Sequence, residues 1–371
     1  MDKRMVSGAG PVLLSENVLI VGDWSWPQYE ASFSAGLRDN GFSVKPFVSK
    51  SFFRGQMGKV ERNLSLLGPS SIFFNFRLFR EVVKGDFDLV LLWRVTELHP
   101  LVAKKLAQKV TLVSYNNDDP FGSRAHKLAP WHHRFLWRWY LRYLKFCHVN
   151  FFYRPINREE SLERGSRVSE VLMPYFIPER DRPVQLGPQE EIVYKSDVAF
   201  VGHFEPDGRD DMLASLIQSG YKVKLWGSKG WQSSKNTLIK EFFPTVEPAL
   251  GEAYAKAICG AKVSLAFLSK LNRDTYTRRC FEIPAMGGLL LAERTEDLLK
   301  LFAEDEEACF FEGEDELLDK VSWLLNNPLE RARIAKAGQA KVWSGNHHVS
   351  GRALEFLTIV GRYRDQIRDG G

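Results

Sequence analysis

The stretch KVSLAFLSKLNRDTYTRRCFEIPAMGGLLLAE, residues 262–293, decides the fold class. It opens with an apolar run of strand length, continues through a basic, helix-compatible segment, and ends in a second apolar run after a Gly-Gly pair. A strand, a helix and a strand in this order are typical of a parallel sheet with crossover helices. The segment therefore predicts an α/β fold, with Glu282 as a carboxylate near the start of the helix.

The same alternation extends along all 371 residues. Predicted strands are ENVLIVGD, FSVKPFV, FDLVLLW, KVTLVSY, HVNFFY and SEVLMP in the first half, and SDVAFVG, YKVKLWG, AKVSLAF, GGLLLA and ACFFEG in the second. Between them, PYFIPERDRPVQLGPQEE has four prolines in eighteen residues and reads as a linker. This pattern predicts two doubly wound domains, followed by three helices of which the last crosses back onto the first domain.

The charge is unevenly distributed. The formal net charge is +5, but residues 1–186 hold 27 Lys and Arg against 18 Asp and Glu, whereas the remainder holds 24 against 28. We expect the basic half to face an anionic partner, either a phosphate-bearing substrate or a membrane surface. The basic residues form no known nucleic-acid-reading motif, so nucleic acid is not an expected partner.

Three further features bound the class of protein. No apolar run reaches the roughly 18 residues needed to cross a bilayer. The first residues lack the apolar core of a secretion signal, so a cytoplasmic protein is expected. The cysteines, Cys147, Cys259, Cys280 and Cys309, lie far apart and are expected to be core residues, not metal ligands.

Loops after strands hold the candidate binding residues, because ligands of open α/β sheets sit at the carboxyl ends of the strands. After SDVAFVG, Gly202 and His203 lead to Asp207, which is placed to cap a helix that starts near Arg209. A helix start offers N–H groups to a phosphate. The alternative is an ordinary strand-to-helix turn.

The stretch quoted first is strongly basic just past a strand, with Lys270, Arg273, Arg278 and Arg279. Such a cluster suits a diphosphate, and a carboxylate at Glu282 could accept two hydrogen bonds from the diol of a ribose. The competing interpretation is that Glu282 is a surface charge paired with the arginine four residues earlier.

The segments SKLNRDTYTRRCFEIPAMGGLLLAERTEDLLKLF and DELLDKVSWLLNNPLERARIAKAGQAKVW resemble the C-terminal half of group 1 glycosyltransferases, most closely the CgeB-like spore-maturation branch. VAFVGHFEPDGRDDML resembles the opening of the same domain in that branch, so the likeness covers residues from about 195 to 345. Cys280 stands where the branch usually has Thr, and Pro284 and Met286 interrupt its Ala-Cys pattern.

The resemblance implies a GT-B fold, in which two Rossmann-like domains face each other across a cleft. Residues 1–180 would form the acceptor domain, 181–345 the nucleotide-sugar domain, and 346–371 a helix that packs back on the first domain. It implies no cofactor and no essential metal, with Glu282 on the ribose and Arg279 and Arg209 on phosphate. The implied donor-binding set is Gly202, His203, Arg209, Asn272, Tyr276, Arg278, Arg279, Glu282 and Gly287.

Asp118 and Asp119, in LVSYNNDDPFGS, are the candidate catalytic residues. If the sugar is transferred with inversion, one of them would deprotonate the acceptor hydroxyl; if with retention, they would hold the acceptor. Metal ligation and a simple Asp-Pro turn are the alternatives. Asp23, after another strand, is a weaker candidate of the same kind.

The segment WHHRFLWRWYLRYLKFCH, residues 131–148, has one basic face when drawn as a helix. Its cations are Arg134, Arg138, Arg142 and Lys145, and aromatic residues and leucines fill the rest. Such a helix is either buried in the first domain or lies at a lipid surface. A second basic and aromatic stretch, SSIFFNFRLFREVVK at 70–84, lies in the same half.

Together these features predict a metal-independent glycosyltransferase that moves a sugar from a nucleotide-sugar to an acceptor hydroxyl. The expected acceptors are cell-surface polysaccharide, glycolipid or glycoprotein, and the expected location is cytoplasmic and peripheral on the inner face of the membrane. Two alternatives stay open: a nucleotide-sugar 2-epimerase of the same fold, and a two-lobed sugar-binding module without catalysis.

Overall fold

A computed structural model describes residues 17–122 and 131–369, with side chains described up to residue 363. The described chain divides into two compact units. The first unit comprises residues 17–117, 131–171 and 353–369, and the second comprises 118–122 and 172–352. The chain thus passes between the units more than once, and the segment after Asn117 belongs to the second unit.

The first unit is built on a parallel sheet. Its strands are β1 (Asn17–Gly22), β2 (Ser43–Val48), β3 (Leu89–Trp93), β4 (Thr111–Asn116), β5 (Val149–Phe152) and β6 (Ser169–Val171). Their order across the sheet is β2-β1-β3-β4-β5-β6, and each pairing is parallel. Every residue of β3 and β5 is buried, whereas the edge strand β2 is largely exposed, as expected for a sheet covered on both faces.

Helices connect these strands. They are α1 (Ser32–Asp39), α2 (Gly55–Asn63), α3 (Pro69–Lys84), α4 (Pro100–Ala107), α5 (His133–Leu136), α6 (Tyr140–Tyr143) and α7 (Pro155–Glu163). Proline at the first helical position starts α3, α4 and α7, where its fixed φ suits a helix start and its missing N–H costs nothing.

The second unit repeats this architecture with a smaller sheet. Its strands are β7 (Ser196–Val201), β8 (Val223–Trp226), β9 (Ala261–Ala266), β10 (Leu290–Glu293) and β11 (Cys309–Phe311), in the order β11-β10-β9-β7-β8. These pairings are also parallel. The apolar core on this sheet includes Phe200, Leu265, Phe267 and Leu291, each almost completely buried.

The helices of the second unit are α8 (Pro188–Tyr194), α9 (Arg209–Gln218), α10 (Thr237–Phe242), α11 (Glu252–Cys259), α12 (Arg279–Ala285), α13 (Glu296–Leu301), α14 (Gly313–Asn326) and α15 (Pro328–Ser344). The last helix, α16 (Val349–Asp369), begins in the second unit, and its residues from 353 onward belong to the first. In the first unit Phe356 of α16 is buried, and its ring centroid lies 4.9 Å from that of Phe151 and 5.4 Å from that of Phe33.

The structure confirms the predicted α/β class, and each predicted strand coincides with one of β1 to β11. The segment PYFIPERDRPVQLGPQEE is irregular up to α8, but it is not a loose linker, because Tyr175, Phe176 and Asp181 are buried in the second unit. Across 17–122 and 131–369, no helix is both long and apolar enough to span a bilayer.

The prediction of one continuous helix over residues 131–148 is wrong. The segment forms α5, α6 and a short 3-10 turn at 144–146. A turn in which the Arg138 N–H donates to the carbonyl of Phe135 separates α5 from α6. Aromatic residues have modest helix propensity, and here burial of the side chains decides the backbone path. Trp137, Trp139 and Tyr140 lie in the core of the first unit.

Candidate functional site

The candidate site lies at the carboxyl edge of the second sheet. The chain leaves β7 and returns as β8 on one side and β9 on the other, so the strand order reverses at β7. In doubly wound sheets ligands bind outside the carboxyl ends of the strands at such a switch point. The loops that follow β7 and β9 begin with Gly202 and Phe267, and the second of them leads into α12.

Glu282 lies in the first turn of α12 and is buried. One of its oxygens, Oε1, accepts from Arg180 Nη2 at 2.5 Å, and the other, Oε2, accepts from the Tyr254 hydroxyl at 3.0 Å. Arg180 also donates to Asp181 through Nε and Nη2. Glu282 is thus the centre of a buried polar network, and its contact with Arg278, at 3.8 Å, is a longer one within that network.

The Glu282 carboxylate keeps acceptor capacity. A carboxylate has about four lone-pair sites, and Arg180 and Tyr254 use two of them. Burial raises the pKa of Glu282, the nearby Asp181 raises it further, and the arginines Arg180 and Arg278 oppose both effects. The two protein donors fix the plane of the carboxylate, and the remaining lone pairs could accept two hydroxyl groups of a diol.

Arg279 is a cation of this region that has no carboxylate partner within the described residues. Its guanidinium lies 5.6 Å from the ring centroid of Phe200, the penultimate residue of β7, and is half-buried. Among residues 17–122 and 131–369 it forms no ion pair, and its buried Nε has no hydrogen-bond acceptor. An arginine held against an aromatic ring without a carboxylate is placed to take an anion from solution.

Arg209 is placed differently from its predicted role. Its side chain is buried, it donates to both oxygens of Asp207 at 2.8 and 2.6 Å, and Nη1 donates to the carbonyl of His203 at 2.9 Å. These contacts neutralise the guanidinium and fold the loop back on α9. Arg209 is therefore engaged with the protein, and the geometry fits loop positioning better than direct phosphate contact.

The other loop residues after β7 also contact the protein. The Gly202 carbonyl accepts from Trp231 Nε1 at 2.9 Å, and a Cβ at Gly202 would lie 2.6 Å from the Phe200 ring. The exposed His203 contacts Glu205 at 2.8 Å. Burial alone would raise the pKa of Glu205, but His203, Arg209 and the Ser269 hydroxyl lower it to about 2.

In the loop after β9, the structure brings the predicted residues around α12. The guanidinium of Arg278 stacks 4.4 Å from the ring centroid of Tyr175, and Tyr276 is buried. Lys270 is paired with Glu293 at 2.8 Å, so its charge is already compensated. Gly287 is at the other edge: it precedes β10, has φ +76°, and makes the turn between α12 and that strand. Its predicted donor contact does not fit this position.

The Asp119 side chain is completely enclosed. It accepts from Arg273 through both oxygens, at 2.5 and 3.0 Å, and Oδ1 also accepts from the backbone N–H groups of Phe121 and Gly122. Asn272 Oδ1 lies 3.4 Å from the Asp119 N–H. A carboxylate saturated in this way does not fit a general base, since it would have to break its ion pair to take a proton. Asp118, next to it, is half-buried.

The four basic residues of the 131–148 segment lie in the first unit. Arg134, Arg138, Arg142 and Lys145 are all exposed, while the intervening Leu136, Trp137, Trp139, Tyr140, Tyr143 and Leu144 are buried. The apolar side of the segment therefore belongs to the core, and the cations form a basic surface.

Sequence reasoning missed Arg180, Tyr254 and Glu205. Arg180 lies in the proline-rich segment that the sequence predicts as a linker, and Tyr254 is on α11, far from α12 in sequence. No local spacing relates either residue to Glu282. For Glu205 a signal existed, because it lies in the same loop as His203 and Arg209.

Comparison with known families finds a match for most of the second unit. Residues 209–358 match the family model described as "Glycosyl transferase-like". The match includes α9, α12 and the candidate residues Arg279 and Glu282. This stretch, about two fifths of the chain, is therefore similar to glycosyltransferases in sequence. No curated protein sequence matches the chain, so the CgeB-like branch stays a prediction.

Solved structures with low sequence identity share the whole fold. The Anabaena protein HepE, solved with UDP and glucose, is 11% identical, covers 93% of this chain and 99% of its own, and has a TM-score of 0.65. Sucrose-phosphate synthase from Thermosynechococcus elongatus is 12% identical, covers 96% and 100%, and has a TM-score of 0.68. The chain therefore has the GT-B fold, as predicted.

The fold is not confined to transferases. A candidate UDP-N-acetylglucosamine 2-epimerase from Listeria monocytogenes is 11% identical, covers 95% of this chain and 98% of its own, and has a TM-score of 0.54. The fold itself thus accommodates both the predicted activity and its enzymatic alternative, and the family match favours the transferase.

Proposed function

We propose that the protein transfers a sugar from a nucleoside diphosphate sugar to an acceptor hydroxyl. The observation that carries the proposal is the pair of groups on α12. Arg279 is a cation with no carboxylate partner in the part of the chain that the structure describes, and Glu282 is a carboxylate oriented by two protein donors. They lie three residues apart at the carboxyl edge of a doubly wound sheet, where a nucleotide is expected.

In this proposal Arg279 holds the diphosphate. Cleavage of the bond to the sugar leaves negative charge on the diphosphate, and a guanidinium preplaced at that point lowers the energy of the transition state. No metal is required in this scheme, because the guanidinium of Arg279 offers the compensating positive charge. Turnover should then persist in the presence of EDTA.

Glu282 would hold the ribose. Its two occupied lone pairs leave two that can accept from the vicinal hydroxyl groups, so the protein donors and the ribose can bind together. HepE has been solved with UDP, and we infer by analogy of fold that a uracil nucleotide is the first donor to test.

The acceptor is proposed from charge. The basic residues of 1–186 favour an anionic or lipid-linked acceptor in cell-surface polysaccharide, glycolipid or glycoprotein synthesis, met on the cytoplasmic face of a membrane. The exposed cations Arg134, Arg138, Arg142 and Lys145 contribute to that surface. Asp118 is the residue we propose near the acceptor hydroxyl, as base in an inverting reaction or as acceptor ligand in a retaining one.

The deciding experiment is calorimetric titration of the metal-free protein with UDP, GDP, ADP, CDP and TDP. We expect one to bind tightly, Arg279→Ala to weaken the diphosphate more than the corresponding nucleoside, and Glu282→Ala to cost about 1–3 kcal/mol. The 2′-deoxy nucleotide should lose affinity on the native protein but not on Glu282→Ala. Arg333→Ala, an exposed arginine on α15, is the matched control.

Failure of all five nucleotides to bind would contradict the proposal and favour a sugar-binding module. Binding followed by conversion of a UDP-sugar to its 2-epimer, with no acceptor present, would favour the epimerase. Equal losses for UDP and for its 2′-deoxy form on Glu282→Ala would remove the ribose assignment and leave the phosphate assignment standing.

A further inference from the structure

The outward face of α3 is both apolar and basic. Ile72, Phe73, Phe76 and Val83 are 55%, 53%, 58% and 52% exposed, and they share that face with Arg77, Arg80 and Lys84. The opposite face of the helix, with Phe74, Leu78 and Val82, is buried in the first unit. We call these seven exposed residues the α3 face. They do not contribute to the core of the first unit.

The position of these residues on the helix separates the two characters. At 100° per residue, Ile72, Phe76 and Val83 fall on one side of the face and Arg77 and Lys84 on the other, with Phe73 and Arg80 between. Arg77 lies 5.8 Å from the Phe73 ring centroid, so the cation covers the edge of the apolar patch. Two parallel bands of this kind match the boundary between acyl chains and headgroups.

The apolar surface continues beyond α3. Met57 and Val60 of α2 and Leu66 and Leu67 of the connecting loop are exposed. The Ser65 hydroxyl donates to the carbonyls of Phe135 and Leu136 at 2.8 and 3.2 Å, which attaches this loop to α5. Trp131, just before α5, and Phe135, on α5, are 68% and 43% exposed. So many exposed large apolar residues on elements close together in sequence are uncommon on monomeric proteins that have no partner.

The net positive charge around α3 favours an anionic partner. Residues 50–84 contain seven Lys and Arg and two acids, of which Glu61 is buried and Glu81 is paired with Lys45 at 2.6 Å. The three cations of the α3 face form no ion pair within the described residues. Contact between two copies through this face would set the same cations against each other. A nucleic acid would satisfy the cations but leave the phenylalanines in water.

We propose that the α3 face inserts into the interface of an anionic bilayer, with Phe73 and Phe76 below the headgroups and Arg77, Arg80 and Lys84 at the lipid phosphates. Long arginine side chains can bury their stems and keep their charge at the headgroups. This inference is independent of the proposed reaction, since it concerns how the first unit meets a surface and not what the second unit binds.

The test is co-sedimentation with vesicles of phosphatidylcholine, with and without phosphatidylglycerol. We expect binding to the anionic vesicles that weakens with salt, and a loss of about tenfold or more for Phe73→Ser with Phe76→Ser and for Arg77→Glu with Arg80→Glu. All four positions are exposed, so the variants should fold. The controls are Leu329→Ser with Leu250→Ser, and Lys235→Glu with Lys240→Glu, exposed residues of the second unit.

The inference is overturned if the native protein stays in the supernatant, or if the α3 variants sediment like the controls. It is also overturned if light scattering shows a native dimer that the phenylalanine variant dissociates, or if duplex RNA binds and only the arginine variant loses it. Calorimetry with UDP on the same variants separates the questions, because the nucleotide affinity should be unchanged whichever way the vesicle experiment turns out.

Discussion

Two buried carboxylates of the second unit, Glu282 and Asp119, differ in the number of hydrogen-bond donors around them. Glu282 receives one donor on each oxygen, whereas Asp119 receives a bidentate arginine and two backbone N–H groups. The first has lone pairs left for a ligand and the second has none to spare. Residue type alone does not distinguish them, but the count of donors does.

The Asp119–Arg273 pair should be asymmetric in its energetics. The Asp119 side chain is fully buried and that of Arg273 is 28% exposed. Arg273→Met should therefore cost about 3–5 kcal/mol, because it leaves a buried charge, and Asp119→Asn should cost only about 1–3 kcal/mol. Urea unfolding of both variants measures the difference.

The same variants test the catalytic assignment of Asp119. If Asp119 is structural, its replacement lowers the stability of the protein, and turnover falls together with stability. A general base would give an Asp119→Asn variant of native stability whose kcat falls by orders of magnitude. That result would restore the predicted catalytic role.

His347 should make stability depend on pH. Its Nδ1 lies 2.6 Å from Arg352 Nη2, and its ring packs 5.1 Å from the Phe281 ring. Burial first, and then the charges of Arg352, Lys341 and His348, lower the pKa of His347 to about 4 from 6.5. The folded state therefore binds the proton less well than the unfolded chain.

The stability that the neutral His347 ring contributes is therefore complete above about pH 6.5 and is lost as the pH falls towards 4. Compared with His347→Gln, which does not titrate, the native protein should lose about 1–2 kcal/mol more between those limits, a figure reduced because the ring is only partly shielded from water. Denaturant unfolding at several pH values provides the measurement, and parallel profiles would contradict the prediction.

Among the elements, α16 is packed into the first unit in part by the aromatic side chain of Phe356. Phe356 is buried between Phe33 and Phe151, which come from α1 and β5. A terminal helix with no following strand keeps its place only by such packing, since isolated helices are marginal in water.

Phe356→Ala should destabilise the first unit by about 3–5 kcal/mol, because a large core side chain leaves a cavity. Leu354→Ala, on the exposed side of the same helix, should change stability by no more than about 0.5 kcal/mol and controls for helix propensity. Thermal unfolding of both variants is the measurement. Equal effects would mean that α16 does not depend on this contact.

In the 131–148 segment the sequence pattern predicts which side chains are exposed but not the path of the backbone. Its basic spacing predicts exposed cations, and the cations are exposed, although the backbone is not one helix. The aromatic side chains determine the path because each one buries a large apolar area, which outweighs the hydrogen bonds that a regular helix would add.

At the scale of the whole molecule, two units of one architecture carry different charge and different chemistry. The candidate nucleotide groups are all in the second unit, and the α3 face is in the first. A ligand of the second unit should therefore stabilise that unit specifically.

Scanning calorimetry can test this. At a free UDP concentration about 100 times its Kd, the free energy of unfolding of the second unit should rise by about 2.7 kcal/mol. If the units unfold in separate transitions, only one should move, and Glu282→Ala should reduce the shift at the same UDP concentration. Movement of the first unit's transition alone would place the nucleotide elsewhere.

The α/β class, the positions of the strands and the basic stretch before Glu282 all follow from local sequence pattern. Strands of parallel sheets are short continuous apolar runs, and helices between them have their own period, so local pattern is enough. The sequence also predicts Glu282 a few residues inside a helix, after the arginine pair Arg278 and Arg279.

Which charged groups already have a partner cannot be predicted from local pattern and follows from the packing of the folded chain. The sequence predicts Arg209, Lys270 and Asp119 as open groups, yet each is neutralised by a partner, whereas Arg279 has no carboxylate partner within residues 17–122 and 131–369. Arg180 and Tyr254 reach Glu282 from 102 and 28 residues away. Such pairings depend on the three-dimensional path of the chain, since the energy of a charge is set by its neighbours in space and not by its neighbours in sequence.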